Sequence, residues 1–232
     1  MIKIENVVLP SPAQMEAVIR GMRNPMNSHH LSDSHITHIE NPETLNTAGF
    51  QFVLGEADET LMRKLAKAGK DHRKFMRMIP VYLDITAPLY WWKGMDTYKV
   101  GTVANSCSTM HKIAAKEFEF DDFSHENLIN SVCMESQEQH IRISPMQALA
   151  TTISCLNSYR DLYLLTKDKK YWWQMIQLLP SSYNQKRTVF LNYEVLANIY
   201  HARKNHKLDE WVELTKWIKT LPYSELITGE EN

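Results

Sequence analysis

The chain has 232 residues, 44% of them hydrophobic and 23% charged, enough apolar content for a full core in a single domain spanning 1–232. Its 26 basic and 27 acidic residues nearly cancel, so no overall field attracts nucleic acid or an anionic membrane, and an anionic ligand must be met by a local constellation. Seven glycines that never fall into GxGxxG, GxxxxGKS or GxxxxGKT exclude the two commonest phosphate-cradling loops.

The opening segment "MIKIENVVLP" lacks the long apolar region of a secretory signal, and no run approaches 18 apolar residues. The expectation is a cytoplasmic protein with no membrane partner. Cys107, Cys133 and Cys155 are an odd set without a CxxC pair, which argues for reduced thiols over a disulfide framework or a structural zinc site.

In chain order, "SPAQMEAVIRGM" (11–22) predicts a helix with Ser11 as N-cap, Pro12 at its first position and a buried stripe at Met15, Val18, Ile19 and Met22. The next thirty residues are polar and punctuated by Pro, Asn and Ser, and predict a loop. A second helix carries Leu61, Met62, Leu65 and Ala68 at helical spacing, with Gly69 ending or interrupting it. "IPVYLDIT" predicts a strand, and "LYWWKGM" after Pro88 begins another helix.

Ser144-Pro145-Met146-Gln147 is a capping box with Pro at the first helical position. It opens a long helix whose stripe is Met146, Leu149, Ile153, Leu156 and Tyr163. "KRTVFLNY" predicts a strand, Asn192 can cap the helix "YEVLANIYHAR", and "LDEWVELTKWIKTL" closes the chain as an amphipathic helix before Pro222. The fold class is α+β: helix-dominated, with a small sheet.

Five local features bear on chemistry. Arg203 falls between Leu196 and Ile199 on a helical wheel, so its guanidinium must pair with a carboxylate, reach out to solvent or meet a ligand. His29, His30, His35 and His38 are clustered, but in a loop-like stretch without Cys partners or HExxH, and no metal site is expected. Cys107 and His111 are four apart, which on a helix would set thiol and imidazole on one face. Trp91-Trp92 and Trp172-Trp173 are read as packing pairs, and the acidic runs "EFEFDDF" and "DFSHE" as solvated faces.

Two blocks then resemble the flavin-dependent thymidylate synthases. The first is "DHRKFMRMIPVYLDITAPLYWWKGMDTYKVGTVANSCSTMH", similar to a family segment of the form GHxxxFEH, a strand ending in an Ala-Pro or like pair, then RHRxxSxNExSxRY. His72 falls on the first histidine and Ala87-Pro88 on the pair. Thr97-Tyr98-Lys99 falls on RHR, with one residue inserted before Asn105; Asn105 matches the Asn of NE and Ser108 the second Ser. The second block, "LPSSYNQKRTVFLNYEVLANIYHARKNHKLDEWV", resembles the C-terminal NxRxLxNFxxxRxxxxAQ, with Leu179-Pro180, Asn192, Leu196, Asn198 and Arg203 in register. Where the family carries charged residues this chain has Thr97, Lys99, Ser106, Met110-His111 and Glu194. Lys93, Lys99, Lys112 and Arg187 are the candidate replacement cations.

The resemblance implies a homotetramer with sites shared between subunits, FAD over dUMP, and methylenetetrahydrofolate and NADPH as co-substrates for reductive methylation of dUMP to dTMP, with no catalytic residue assigned. It places Tyr98, Lys99, Asn105, Asn192 and Asn198 at the cofactor and Ser106, Ser108 and Arg203 at the substrate. The alternative is a catalytically inactive homologue that binds nucleotide or serves assembly.

Overall fold

Ser11 and Ser144 open their helices in the same way. Each hydroxyl accepts from the backbone N–H of the glutamine three residues on, Gln14 at 3.3 Å and Gln147 at 3.1 Å, and each glutamine carbonyl accepts from the serine's own N–H at 2.8 and 2.9 Å. Two otherwise orphaned backbone donors are satisfied per helix, and Pro at the first position fixes the entry. The computed structural model describes residues 2–39, 49–131 and 143–230.

The chain runs through β1 (Lys3–Val8), α1 (Pro12–Arg23), β2 (His35–Ile39), β3 (Gly49–Val53) and α2 (Glu56–Lys67). It continues through β4 (Pro80–Pro88), α3 (Leu89–Met95), β5 (Val103–Ser106), α4 (Thr109–Lys112), α5 (Pro145–Thr166) and α6 (Lys169–Leu178). It ends with β6 (Asn184–Asn192), α7 (Tyr193–Arg203), α8 (Asp209–Ile218) and α9 (Glu225–Thr228). Four strands form one sheet in the order β1-β4-β6-β5, and β2 and β3 form a separate antiparallel pair in which His35 faces Val53 and Ile39 faces Gly49. The α+β expectation holds.

Two compact units divide the chain. The first comprises Met1–Lys3, Ile85–Thr97 and Asn105–Arg187; the second comprises Ile4–Asp84, Tyr98–Ala104 and Thr188–Asn232. In the first unit α5 and α6 pack together over a core of Ile113, Phe118, Phe123, Leu149, Ile153, Leu156 and Met175. Of the expected α5 stripe, Leu149, Ile153 and Leu156 are buried, while Met146 and Tyr163 are half-buried. Trp91 and Trp92 are fully buried in this unit with their rings edge to face at 4.9 Å, so the first tryptophan pair is core, as its composition suggests. In the second unit α7 packs on α8 and α9, and the short helical turn Lys74–Met78 sits between α1 and α7.

The stretch expected to be a loop after α1 is the main departure. It contains the β2–β3 pair, and its polar residues are organised around one fully buried carboxylate, Asp58 of α2. Asp58 accepts from Arg23 Nε at 2.5 Å, from the Ser32 and Ser34 hydroxyls at 2.7 and 2.6 Å, and from the Ser34 amide at 3.1 Å. Asp33 in turn caps α2, accepting from the Ala57 and Asp58 amides at 2.9 and 3.1 Å. A Cβ on Gly55 would come within 2.6 Å of the Asp33 backbone carbon, so the glycine permits the approach.

β1 and α6 also exceed the sequence expectation, and β6 runs 184–192, two residues earlier than "KRTVFLNY" predicts and handing Tyr193 to α7. Cys133 lies outside the described residues. Among the described residues no helix is long and apolar enough to cross a membrane.

Candidate functional site

In the second unit, the expected site residues gather around α7. Asn192 is its N-cap: Oδ1 accepts from the Val195 amide at 3.0 Å, and Nδ2 donates to the Gly101 carbonyl at 3.5 Å. The side chain is 5% exposed, so Asn192 has a structural role in full before any ligand arrives. Gly101 has a φ of +79°, and a Cβ there would meet Asn192 Nδ2 at 2.9 Å and Val195 Cγ2 at 3.2 Å. Only a residue without a side chain lets the loop close on the helix start.

The same loop meets the other end of α7 through Tyr98. Helical side chains lean toward the N-terminus, and Arg203, the last residue of α7, reaches back so that Nε donates to the Tyr98 hydroxyl at 3.0 Å. Its guanidinium carbon lies 4.7 Å from the centre of the Trp211 ring and 5.8 Å from that of Tyr98. Aromatic faces and a phenol hold Arg203 in place, and no carboxylate does among the described residues. Trp211, buried on α8, is a partner sequence pattern did not single out. Asn198 is half-buried on α7 and Lys99 is exposed in the loop.

Thr102 belongs to this loop as well. Its hydroxyl oxygen is buried and makes no hydrogen bond among the described residues, a cost of about 1–3 kcal/mol for a group left unpaired. Glu194, where the resembled motif has Arg, is buried against Arg73: Arg73 Nη2 donates to Oε1 at 3.1 Å, and Nε lies 2.7 Å from Oε2. The changed sign at 194 is thus answered inside the unit, by the residue after His72.

In the first unit, Asn105 and Ser106 are exposed on β5, with their polar groups available to a ligand. Ser108 caps α4, its hydroxyl accepting from the His111 amide at 3.0 Å. Cys107 precedes α4, its amide donating to the Lys186 carbonyl at 2.9 Å, so Cys107 and His111 do not share a helix face as the spacing allowed. Arg187 is committed: Nη1 donates to Asp96 at 2.7 Å, Nε donates to Gln185 at 2.9 Å, and the guanidinium lies 4.1 Å over the buried Trp92 ring. Arg187 is therefore already engaged within its unit.

His29 and His30 sit on a short turn, while His35 and His38 are on β2, three apart and therefore on opposite faces; His38 packs edge-on to Phe50 at 5.5 Å. In the acidic runs, Glu119 and Asp122 cap a single turn of helix, and Asp122 also binds Lys116.

This α+β chain has the fold of the flavin-dependent thymidylate synthases. The likeness is to flavin-dependent thymidylate synthase ThyX of Helicobacter pylori, in two structures with FAD and dUMP: TM-scores 0.61 and 0.58, 14% identity in each, covering 97% of this chain and 96% and 95% of theirs. The UMP/dUMP methylase PolB of Streptomyces cacaoi, bound with 5-Br dUMP, matches with a TM-score of 0.58 at 13% identity over 99% of this chain and 95% of that one. No protein-family model and no curated protein matches the sequence.

Proposed function

We propose that this protein is a diverged flavin-dependent enzyme acting on a pyrimidine nucleotide, with reductive methylation of dUMP to dTMP as the reference reaction. The observation that carries the reading is the fold likeness over 97% of the chain to proteins holding FAD and dUMP, joined to the inward Arg203. In this reading the chain works as one domain in a cytoplasmic homotetramer, with sites built from more than one subunit. FAD, when bound, moves reducing equivalents from NADPH to the carbon unit delivered by methylenetetrahydrofolate.

Tyr98, Lys99, Asn105, Asn192 and Asn198 hold the cofactor in this assignment, and Ser106, Ser108 and Arg203 hold the substrate. Arg203 offers a guanidinium fixed by two rings, suited to a pyrimidine carbonyl.

The test is to incubate purified protein with FAD and dUMP and record the visible spectrum and the mass of retained small molecules, then assay dTMP with NADPH and methylenetetrahydrofolate present. Bound flavin and dTMP are expected. A colourless protein that retains neither ligand overturns the reading.

One observation favours a second reading, that of a nucleotide-binding protein without turnover. Arg187 and Arg73 are both engaged by carboxylates of this chain, Asp96 and Glu194, leaving fewer cations for a phosphate. Retained dUMP with no dTMP formed selects it.

A further inference from the structure

The turn between β5 and α4 is held from behind by β6, the neighbouring strand of the sheet. Cys107 stands between Ser106 and Ser108, the two serines assigned to the substrate, and both peptide groups that flank it are tied down. Its amide donates to the Lys186 carbonyl at 2.9 Å, and its carbonyl accepts from Gln185 Nε2 at 3.0 Å. The first bond fixes the peptide plane shared with Ser106, and the second fixes the plane shared with Ser108. Backbone groups therefore set the relative placement of two exposed serines. The Ser108 hydroxyl accepts from the His111 amide, which leaves its own O–H as a donor.

The carbonyl side of this clamp is the end of a longer chain. Gln185 and Arg187 are two apart on β6 and share a face of the strand. Arg187 Nη1 donates to Asp96 at 2.7 Å, and its Nε donates to Gln185 Oε1 at 2.9 Å. The guanidinium lies 4.1 Å over the Trp92 ring, and Trp92 Nε1 in turn donates to the Gln185 carbonyl at 2.9 Å. The Gln185 carboxamide is used at both ends, so its orientation is fixed: with the oxygen taken by a guanidinium, the NH2 is what remains for Cys107. Gln185 is only 8% exposed. A buried amide held at backbone and side chain restrains an exposed segment before any ligand arrives, which is how preorganisation raises affinity.

We propose that Gln185 is a positioning residue for the nucleotide: it carries the Asp96–Arg187 pair through one carboxamide to the Cys107 carbonyl and presets Ser106 and Ser108, touching no ligand itself. The inference rests on the function proposed above for the identity of that ligand.

The test is Gln185→Glu in the full chain. The substitution is isosteric and keeps an acceptor for Arg187, but a carboxylate cannot donate to the Cys107 carbonyl. Wild type and variant are titrated calorimetrically with dUMP and, separately, with FAD, and their thermal unfolding is recorded. Affinity for dUMP is expected to fall by about tenfold, with the wild-type unfolding midpoint retained. FAD affinity is expected to stay at the wild-type value, since Tyr98, Lys99, Asn192 and Asn198 belong to the second unit. A residue that served stability alone would lower the midpoint and weaken both ligands together. Arg187→Lys keeps a charge opposite Asp96 and loses the Nε donor that orients the amide; a smaller loss of dUMP affinity is expected, and this variant decides if Gln185→Glu does not fold. Wild-type dUMP affinity in the folded variant, or both affinities falling along with the midpoint, overturns the proposal and leaves the functional reading standing. Wild type that binds no dUMP overturns the proposal by removing its ligand; if it takes up no FAD either, the functional reading falls with it.

Discussion

Arg203 and Tyr98 stand 105 positions apart and meet through one hydrogen bond of 3.0 Å, and the guanidinium carbon lies 4.7 Å from the centre of the Trp211 ring. An arginine so held loses little rotamer freedom when it meets a planar partner. Arg203→Lys keeps a positive charge and discards the planar fork, and is expected to weaken dUMP binding by about tenfold or more. Tyr98→Phe keeps the ring and removes the hydroxyl, with a smaller loss. Calorimetry measures both, and unaltered affinity in Arg203→Lys assigns the arginine a purely structural role.

Thr102→Val tests what the unpaired hydroxyl costs the fold. Replacing an unpaired buried hydroxyl with a methyl of similar shape is expected to leave the free protein as stable as wild type or up to about 1 kcal/mol more stable. Thermal unfolding measures it, and a clear loss of stability would mean that the hydroxyl has a partner.

Gly101→Ala is expected to destabilise by about 1–3 kcal/mol, because the left-handed backbone and the approach of Asn192 and Val195 both oppose a Cβ. Denaturant unfolding measures it. A wild-type midpoint would mean that the loop relaxes away from α7 at no cost.

The Asp58 carboxyl makes stability depend on acid. Burial alone pushes it up, but the Ser34 and Ser32 hydroxyls, then the Arg23 guanidinium and the Ser34 amide, outweigh burial and hold it below the usual carboxylate value. Its contribution is therefore present above the unfolded value of about 3.9 and is lost as pH falls through the lower folded value. Asp58→Asn leaves Arg23 buried without its counter-ion and is expected to cost about 3–5 kcal/mol at neutral pH. The gap between variant and wild type should narrow in acid, as unfolding at pH 7 and pH 3 will show.

Helix starts were legible in the sequence because their information is local: Ser-Pro-x-Gln carries its own hydrogen-bonding solution within four residues, at both Ser11 and Ser144. The β2–β3 pair was not, since "HITHI" has a weak alternation and the polar residues before it are ordered by Asp58, more than twenty positions away. The inward direction of Arg203 followed from helical period alone. Its partners did not, because Tyr98 and Trp211 are brought to it by tertiary packing, and no spacing rule marks Thr102 as a buried hydroxyl without a partner.

The Arg73–Glu194 pair makes two positions 121 residues apart into one unit of change. Arginine introduced at 194 alone would face Arg73 across a buried gap, and glutamate introduced at 73 alone would face Glu194. Either single exchange passes through a like-charged, desolvated pair, so the charge pattern of the resembled motif is reachable here only by a concerted double exchange. Swapping both residues at once preserves the pair while reversing its direction, and the charge at 194 is to that extent inherited together with the charge at 73.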